Sequence, residues 1–124
     1  MTYKQKLQAF FNEKKEIAAN NTYLGWDWNL SDKQYKNLKK KQIVEGCIIF
    51  NSKNFIEQLL KGIKITENSI IKCKKTIKLC GTTPKYAEAK KSCYRDIGLY
   101  EKDILKKKEA IEYYKQVISF CEGL

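Results

Sequence analysis

Five cysteines and not one histidine set the chemistry this chain can attempt. A thiolate is both a nucleophile and a soft metal ligand, so Cys47, Cys73, Cys80, Cys93 and Cys121 are the first residues to weigh. Without histidine, no Ser-His-Asp or Cys-His pair can form, no imidazole can hold a metal, and no histidine switch operates near neutral pH. A zinc site built from Cys73, Cys80 and Cys93 lacks the C-x-x-C spacing that closes a structural site, so no metal is expected. The six glycines are scattered and build no phosphate-cradling loop. Asp96 with Asp103, and Glu101 with Glu109, sit among lysines at helical spacing and read as charge balance on a helix surface. Neither an enzyme activity nor a cofactor is expected.

Charge is the other chemical resource. The 124 residues hold 25 Lys+Arg against 14 Asp+Glu, a formal +11 at pH 7. That excess attracts polyanions: nucleic acid, an anionic membrane or an acidic protein. More than half of it lies in one stretch. Between positions 72 and 95, Lys72, Lys74, Lys75, Lys78, Lys85, Lys90, Lys91 and Arg95 face a single acid, Glu88, for a net +7. Residues 96–124, by contrast, hold six acids and five lysines. A second group, Lys33, Lys36, Lys39, Lys40 and Lys41, could extend the same footprint. Such runs are often no more than solvated faces. Arg95 is the one arginine, and reading base edges leans on the arginine fork, so contact would be with phosphate charge rather than with sequence.

The elements that position these residues follow from hydrophobic spacing. One proline and few glycines favour long helices. Thr2-Tyr3-Lys4-Gln5 is a capping box opening helix 1 at about 3–19. Residues 20–30 form an aromatic loop in which Trp26 and Trp28 read as plugs over a core. Ser31-Asp32-Lys33-Gln34 is a second capping box, opening helix 2 at 32–50; its stretch 43–50 could also be a buried strand, but nothing else in the chain alternates to pair with one.

Ile56, Leu59, Ile63, Thr66, Ile70, Cys73, Ile77 and Cys80 then recur at steps of three and four, the seam of a coiled coil. Gly62 and Thr66-Glu67-Asn68-Ser69 argue for a break, yet the phase is kept across them, which predicts one helix over 53–80. Gly81-Thr82-Thr83-Pro84 stops and restarts the chain. From Tyr86 to Cys121 the same stepping returns, with Lys90 and Lys107 on the seam, predicting helix 4 at 84–121.

A connection this short makes helices 3 and 4 antiparallel neighbours. Facing residue numbers then sum to about 166, which sets Cys73 against Cys93 and Ile63 against Ile104. The expected architecture is all-α: four helices in a single domain, with a long antiparallel coiled-coil hairpin whose base packs against helices 1 and 2. Apolar residues all round the open end require that cover, while the lysine-rich tip is expected to project as an arm.

Seam cysteines usually act as small apolar fillers, but the facing positions also make a Cys73–Cys93 disulfide geometrically open. No apolar run is long enough to span a membrane, and the first twenty residues do not resemble a signal peptide; a soluble, cytoplasmic chain is expected, though a removed leader would leave no trace. Three functions are compatible with these features. One is a binding module for nucleic acid, through Lys72, Lys74, Lys75, Lys78, Lys85, Lys91 and Arg95 with Lys36 and Lys40. Another is a small interaction or inhibitor protein of viral, mobile-element or pathogen origin docking on an acidic partner. The last is a homo-oligomer joined through off-seam residues such as Leu99 and Leu105.

Overall fold

The computed structural model describes residues 1–24 and 36–124. The expectations for Trp26, Trp28 and the Ser31–Gln34 capping box lie outside the described residues. Every regular element among the described residues is helical, and the fold is all-α.

Helix α1 spans Tyr3–Ala19. Its start is capped in both directions: the Thr2 N–H donates to Gln5 Oε1 at 2.9 Å, and the Gln5 N–H donates to Thr2 Oγ1 at 3.2 Å. These bonds satisfy amides that a helix start otherwise leaves open. A single 3-10 turn, Thr22–Leu24, follows. Asn21 is buried there because its Oδ1 accepts the Tyr23 N–H at 3.0 Å, an Asx-type turn.

The sequence pattern suggests two helices between 32 and 80, and here the structure differs. One helix, α2, runs through 40–80: an α-helical turn Lys40–Ile43, a π-helical stretch Val44–Ile49 and a long α-helical stretch Phe50–Cys80. The described residues therefore hold three long helices rather than four. The break expected near Asn51 lies instead at Leu38–Lys39, after the helical Lys36 and Asn37. Two local causes are visible. Lys39 is extended, and its N–H is capped by Gln42 Oε1 at 2.8 Å, which starts α2. Ser52 is fully buried inside the helix, so it fills a tight position instead of capping a new start. Ile43/Ile48 and Val44/Ile49 are five residues apart, the spacing a π-helical stretch aligns on one face.

Gly62 and the Thr66–Ser69 stretch do not interrupt α2. Thr66, Ser69 and Thr76 turn their hydroxyls back onto the carbonyls of Gly62, Ile65 and Lys72, at 3.0, 3.3 and 3.0 Å, and so stay within the helix. Gly81 ends α2 in the left-handed region at φ 58°, where a Cβ would cost about 1 kcal/mol. Pro84 opens a 3-10 turn, Pro84–Tyr86, so α3 proper is Ala87–Glu122 and starts three residues later than the expected 84.

The described chain divides into two compact units: Met1–Glu57 with Ala110–Leu124, and Gln58–Glu109. The first holds most of the core. Leu7, Leu24, Ile43, Val44, Ile48, Ala110, Ile111, Tyr113, Tyr114, Val117 and Cys121 are buried in it. Each large aliphatic side chain so buried is worth about 1.5–3 kcal/mol. Phe10 stacks on Phe120 with ring centroids 4.2 Å apart, and Phe55 stacks on Tyr114 at 5.2 Å. The Tyr114 hydroxyl donates to the Tyr23 carbonyl at 3.1 Å, which gives this buried phenol the partner it needs.

The second unit is the turn end of the α2–α3 pair. Its seam positions Leu59, Ile63, Thr66 and Cys80 are buried, and Ile70, Cys73, Ile77, Cys93, Ile97, Tyr100 and Ile104 are half-buried. Tyr86, at the first expected seam position of α3, is 45 % exposed and does not join it.

Candidate functional site

Once the seam turns Cys73, Ile77 and Cys80 inward, the intervening lysines of α2 are left outside. Lys72, Lys74, Lys75 and Lys78 are all exposed, as are Lys85 in the 3-10 turn and Lys91 and Arg95 in the first turns of α3. These seven residues all belong to the second unit. Among the described residues no carboxylate forms an ion pair with any of them, and Glu88 makes none either. Lys85 lies over the Tyr86 ring, 5.7 Å from its centroid.

This arrangement has a cost. Lys74/Lys78 and Lys91/Arg95 are like-charged pairs at i,i+4, and Lys72/Lys75 and Lys75/Lys78 at i,i+3. Each such pair weakens a helix by about 0.2–0.5 kcal/mol when nothing neutralises it. An anion laid along this surface would relieve that repulsion.

Lys36 and Lys40 belong to the first unit. Lys36 is exposed. Lys40 is engaged locally: its ammonium donates to the Leu124 carbonyl and lies 5.5 Å from the Tyr3 ring centroid. Its side chain is nonetheless exposed.

Two lysines have roles that charge counting misses. Lys90 donates to the Gly81 carbonyl at 2.9 Å, satisfying an orphan acceptor at the end of α2. Lys107 Nζ lies 2.7 Å from Asp103 Oδ2 and 3.2 Å from Thr66 Oγ1, and Thr66 Oγ1 is 3.4 Å from Asp103 Oδ2. This polar inlay sits in the seam, with the Lys107 side chain only 14 % exposed. The available signal was position: a lysine on a heptad seam must turn inward and find an acceptor.

All five cysteines are free thiols; Cys80 and Cys121 are buried and the other three half-buried. Cys121 is pushed up to about 11, by burial first and the neighbouring Glu122 second. A thiol held that high is scarcely ionised at neutral pH and makes a poor nucleophile. Cys93 is also raised, by partial desolvation first, then by Cys73, Cys80 and Asp96, and by a hydrogen bond with the Cys73 side chain. Among the described residues no group of three Cys, Asp or Glu is placed to hold a metal ion. No helix among them is long and apolar enough to cross a membrane. Comparison with protein-family models, with curated proteins and with solved structures finds no match to this chain.

Proposed function

We propose that the chain is a non-enzymatic binding module that engages nucleic acid through phosphate charge. In this reading the α2–α3 pair is a coiled-coil hairpin, its base covered by the preceding elements, and its turn end carries the contact. The observation that supports it is the set of seven exposed cations around the turn that no carboxylate of the described chain neutralises. Lysines on a helix surface bind phosphates as mobile point charges and release counterions, so recognition is by charge and shape. With Arg95 the one arginine, base-edge discrimination is weak.

The test is fluorescence anisotropy with labelled duplexes and single strands of scrambled sequence over a salt series. Log affinity should fall linearly with log salt, by about 0.9 per duplex phosphate neutralised, and be nearly indifferent to sequence. The variant K75E/K78E/K85E/K91E should abolish binding while keeping its helical circular dichroism. Absence of binding at low salt, or survival of binding in that variant, refutes the proposal.

A second reading is an acidic protein partner. It is favoured by Leu79, 87 % exposed beside Lys78, and by Tyr94, 58 % exposed beside Arg95. Apolar side chains set among cations suit a mixed protein surface. Under this reading Leu79→Ser weakens capture of the partner and leaves nucleic-acid affinity unchanged.

A further inference from the structure

We infer that the turn end of the second unit takes single-stranded nucleic acid in preference to duplex, with unpaired bases stacked on Tyr86 and Tyr94. The inference rests on the phosphate-charge reading and names the substrate class of the same surface. Tyr86 is 45 % exposed and Tyr94 58 % exposed, whereas the core tyrosines Tyr113 and Tyr114 are 6 % and 1 % exposed. Leaving a ring of this size in water forgoes burial that the fold uses elsewhere. Tyr86 closes the 3-10 turn, and Tyr94 lies eight residues on in α3. At 1.5 Å per residue the two stand roughly 12 Å apart along the helix. Cations surround them: the Lys85 ammonium lies 5.7 Å from the Tyr86 ring centroid, and exposed Lys91 and Arg95 flank Tyr94.

A helical side chain leans back over the preceding turn, so a side chain at position 98 would cover Tyr94. That residue is Gly98. Glycine is a poor helix former, and among the described residues nothing stands within 4 Å of where its Cβ would be, so packing does not call for it. Its effect is to leave Tyr94 uncovered from that side. Charge alone would select the other substrate. Each neutralised phosphate contributes about 0.9 to the salt slope on duplex and about 0.7 on a single strand, so a bare lysine surface favours duplex. Stacking reverses the order, because an unpaired, splayed base offers its face to a side chain and a paired one does not. Stacking also tolerates any base, which suits a surface whose one arginine gives little reading of base edges.

The test measures fluorescence anisotropy of the full chain with labelled oligothymidylate of about twelve nucleotides, a duplex of that length, and an abasic strand of that length. Oligouridylate in a parallel arm tells DNA from RNA, and either strand bound above duplex supports the inference. The expected order, at equal salt, is single strand above both duplex and abasic strand. Tyr94→Leu keeps an apolar side chain and removes the ring; it should lose about tenfold in single-strand affinity and leave duplex affinity unchanged. Gly98→Leu should raise the thermal midpoint, since leucine is the better helix former, yet weaken single-strand binding by covering Tyr94. The inference fails if duplex or the abasic strand binds as tightly as the single strand. It also fails if Gly98→Leu binds single strands unchanged. Unchanged single-strand affinity in Tyr94→Leu overturns it too, and fits an apolar contact with a protein partner instead. In each of these failures strands still bind, so the phosphate-charge reading stands; no binding of any strand at low salt refutes both.

Discussion

The Lys107 ammonium lies 2.7 Å from the Asp103 carboxylate, one turn earlier on α3, and both groups reach Thr66 on α2. The ion pair is thus tied across the seam by a hydroxyl that also holds its own helix through Gly62. Asp103→Ala takes the carboxylate away from the Lys107 ammonium in the seam and should cost about 1–3 kcal/mol. Lys107→Met removes the charge but leaves the carboxylate, 32 % exposed, still reachable by water, and should cost less. Urea midpoints of the two variants check the ordering; equal losses would mean that the charge is not desolvated.

Gly62 makes room for that lysine. A Cβ there would stand 3.3 Å from Lys107 Cε and Nζ. Alanine raises helix propensity by about 1 kcal/mol in a helix interior. Here the gain should be smaller, because Lys107 must shift while it is held by Asp103 and Thr66. In a Lys107→Ala background the full gain should return. A double-mutant cycle measured by chemical denaturation reads the difference directly.

Ser52 offers the opposite case. It is fully buried, and its Oγ has no hydrogen-bond partner among the described residues. An unmet buried hydroxyl costs about 1–3 kcal/mol, and serine is a poorer helix former than alanine. Ser52→Ala should therefore raise the thermal midpoint. A lowered midpoint would show that the hydroxyl is satisfied in solution.

Ser52 also shows how far the sequence could be read. Asn51-Ser52-Lys53-Asn54 looks like a helix boundary when only local propensity is considered, and Ser52 looks like a cap. Burial decides otherwise, and burial is tertiary. The stretch 43–50 was ambiguous for a related reason: a short apolar run fits a buried strand as well as a buried helix, and only its packing decides. The seams of α2 and α3 were legible because a step of three and four, sustained for many turns, has one geometric solution. The exposed lysines were legible by subtraction, as what the seam leaves outside. Lys90 and Lys107 were not, because their acceptors, a carbonyl of the turn and a carboxylate in the seam, appear only when the chain has folded.

Alkaline pH should destabilise the first unit in two steps. Cys121 rises from 9.0 to about 11 and Tyr114 from 10.0 to about 12, each chiefly through burial. Both groups are neutral when protonated, and the folded state holds the proton more tightly than the unfolded one. Their contribution is complete below the unfolded pKa and is lost as pH climbs through the folded value. The window is pH 9 to about 11 for Cys121 and pH 10 to about 12 for Tyr114. For Cys121 the loss is on the order of 2 kcal/mol. The stability difference between the unaltered chain and Cys121→Ala should be flat below pH 9 and then shrink as pH rises to about 11. A difference independent of pH would show that the thiol titrates normally.

Lys90 and Lys91 are neighbours in sequence with different work, which separates fold from binding. Lys90 is half-buried and donates to the Gly81 carbonyl at 2.9 Å, while Lys91 is exposed and makes no ion pair among the described residues. Lys90→Met removes a charged donor from the end of α2 and should cost about 0.5–1.5 kcal/mol of stability. Lys91→Met should leave the denaturation midpoint unchanged and reduce the salt slope of nucleic-acid binding by about one. Measuring both quantities on both variants gives a crossed pattern if the reading is right. If Lys91→Met leaves the slope unchanged as well, the exposed lysines around the turn do not contact phosphate.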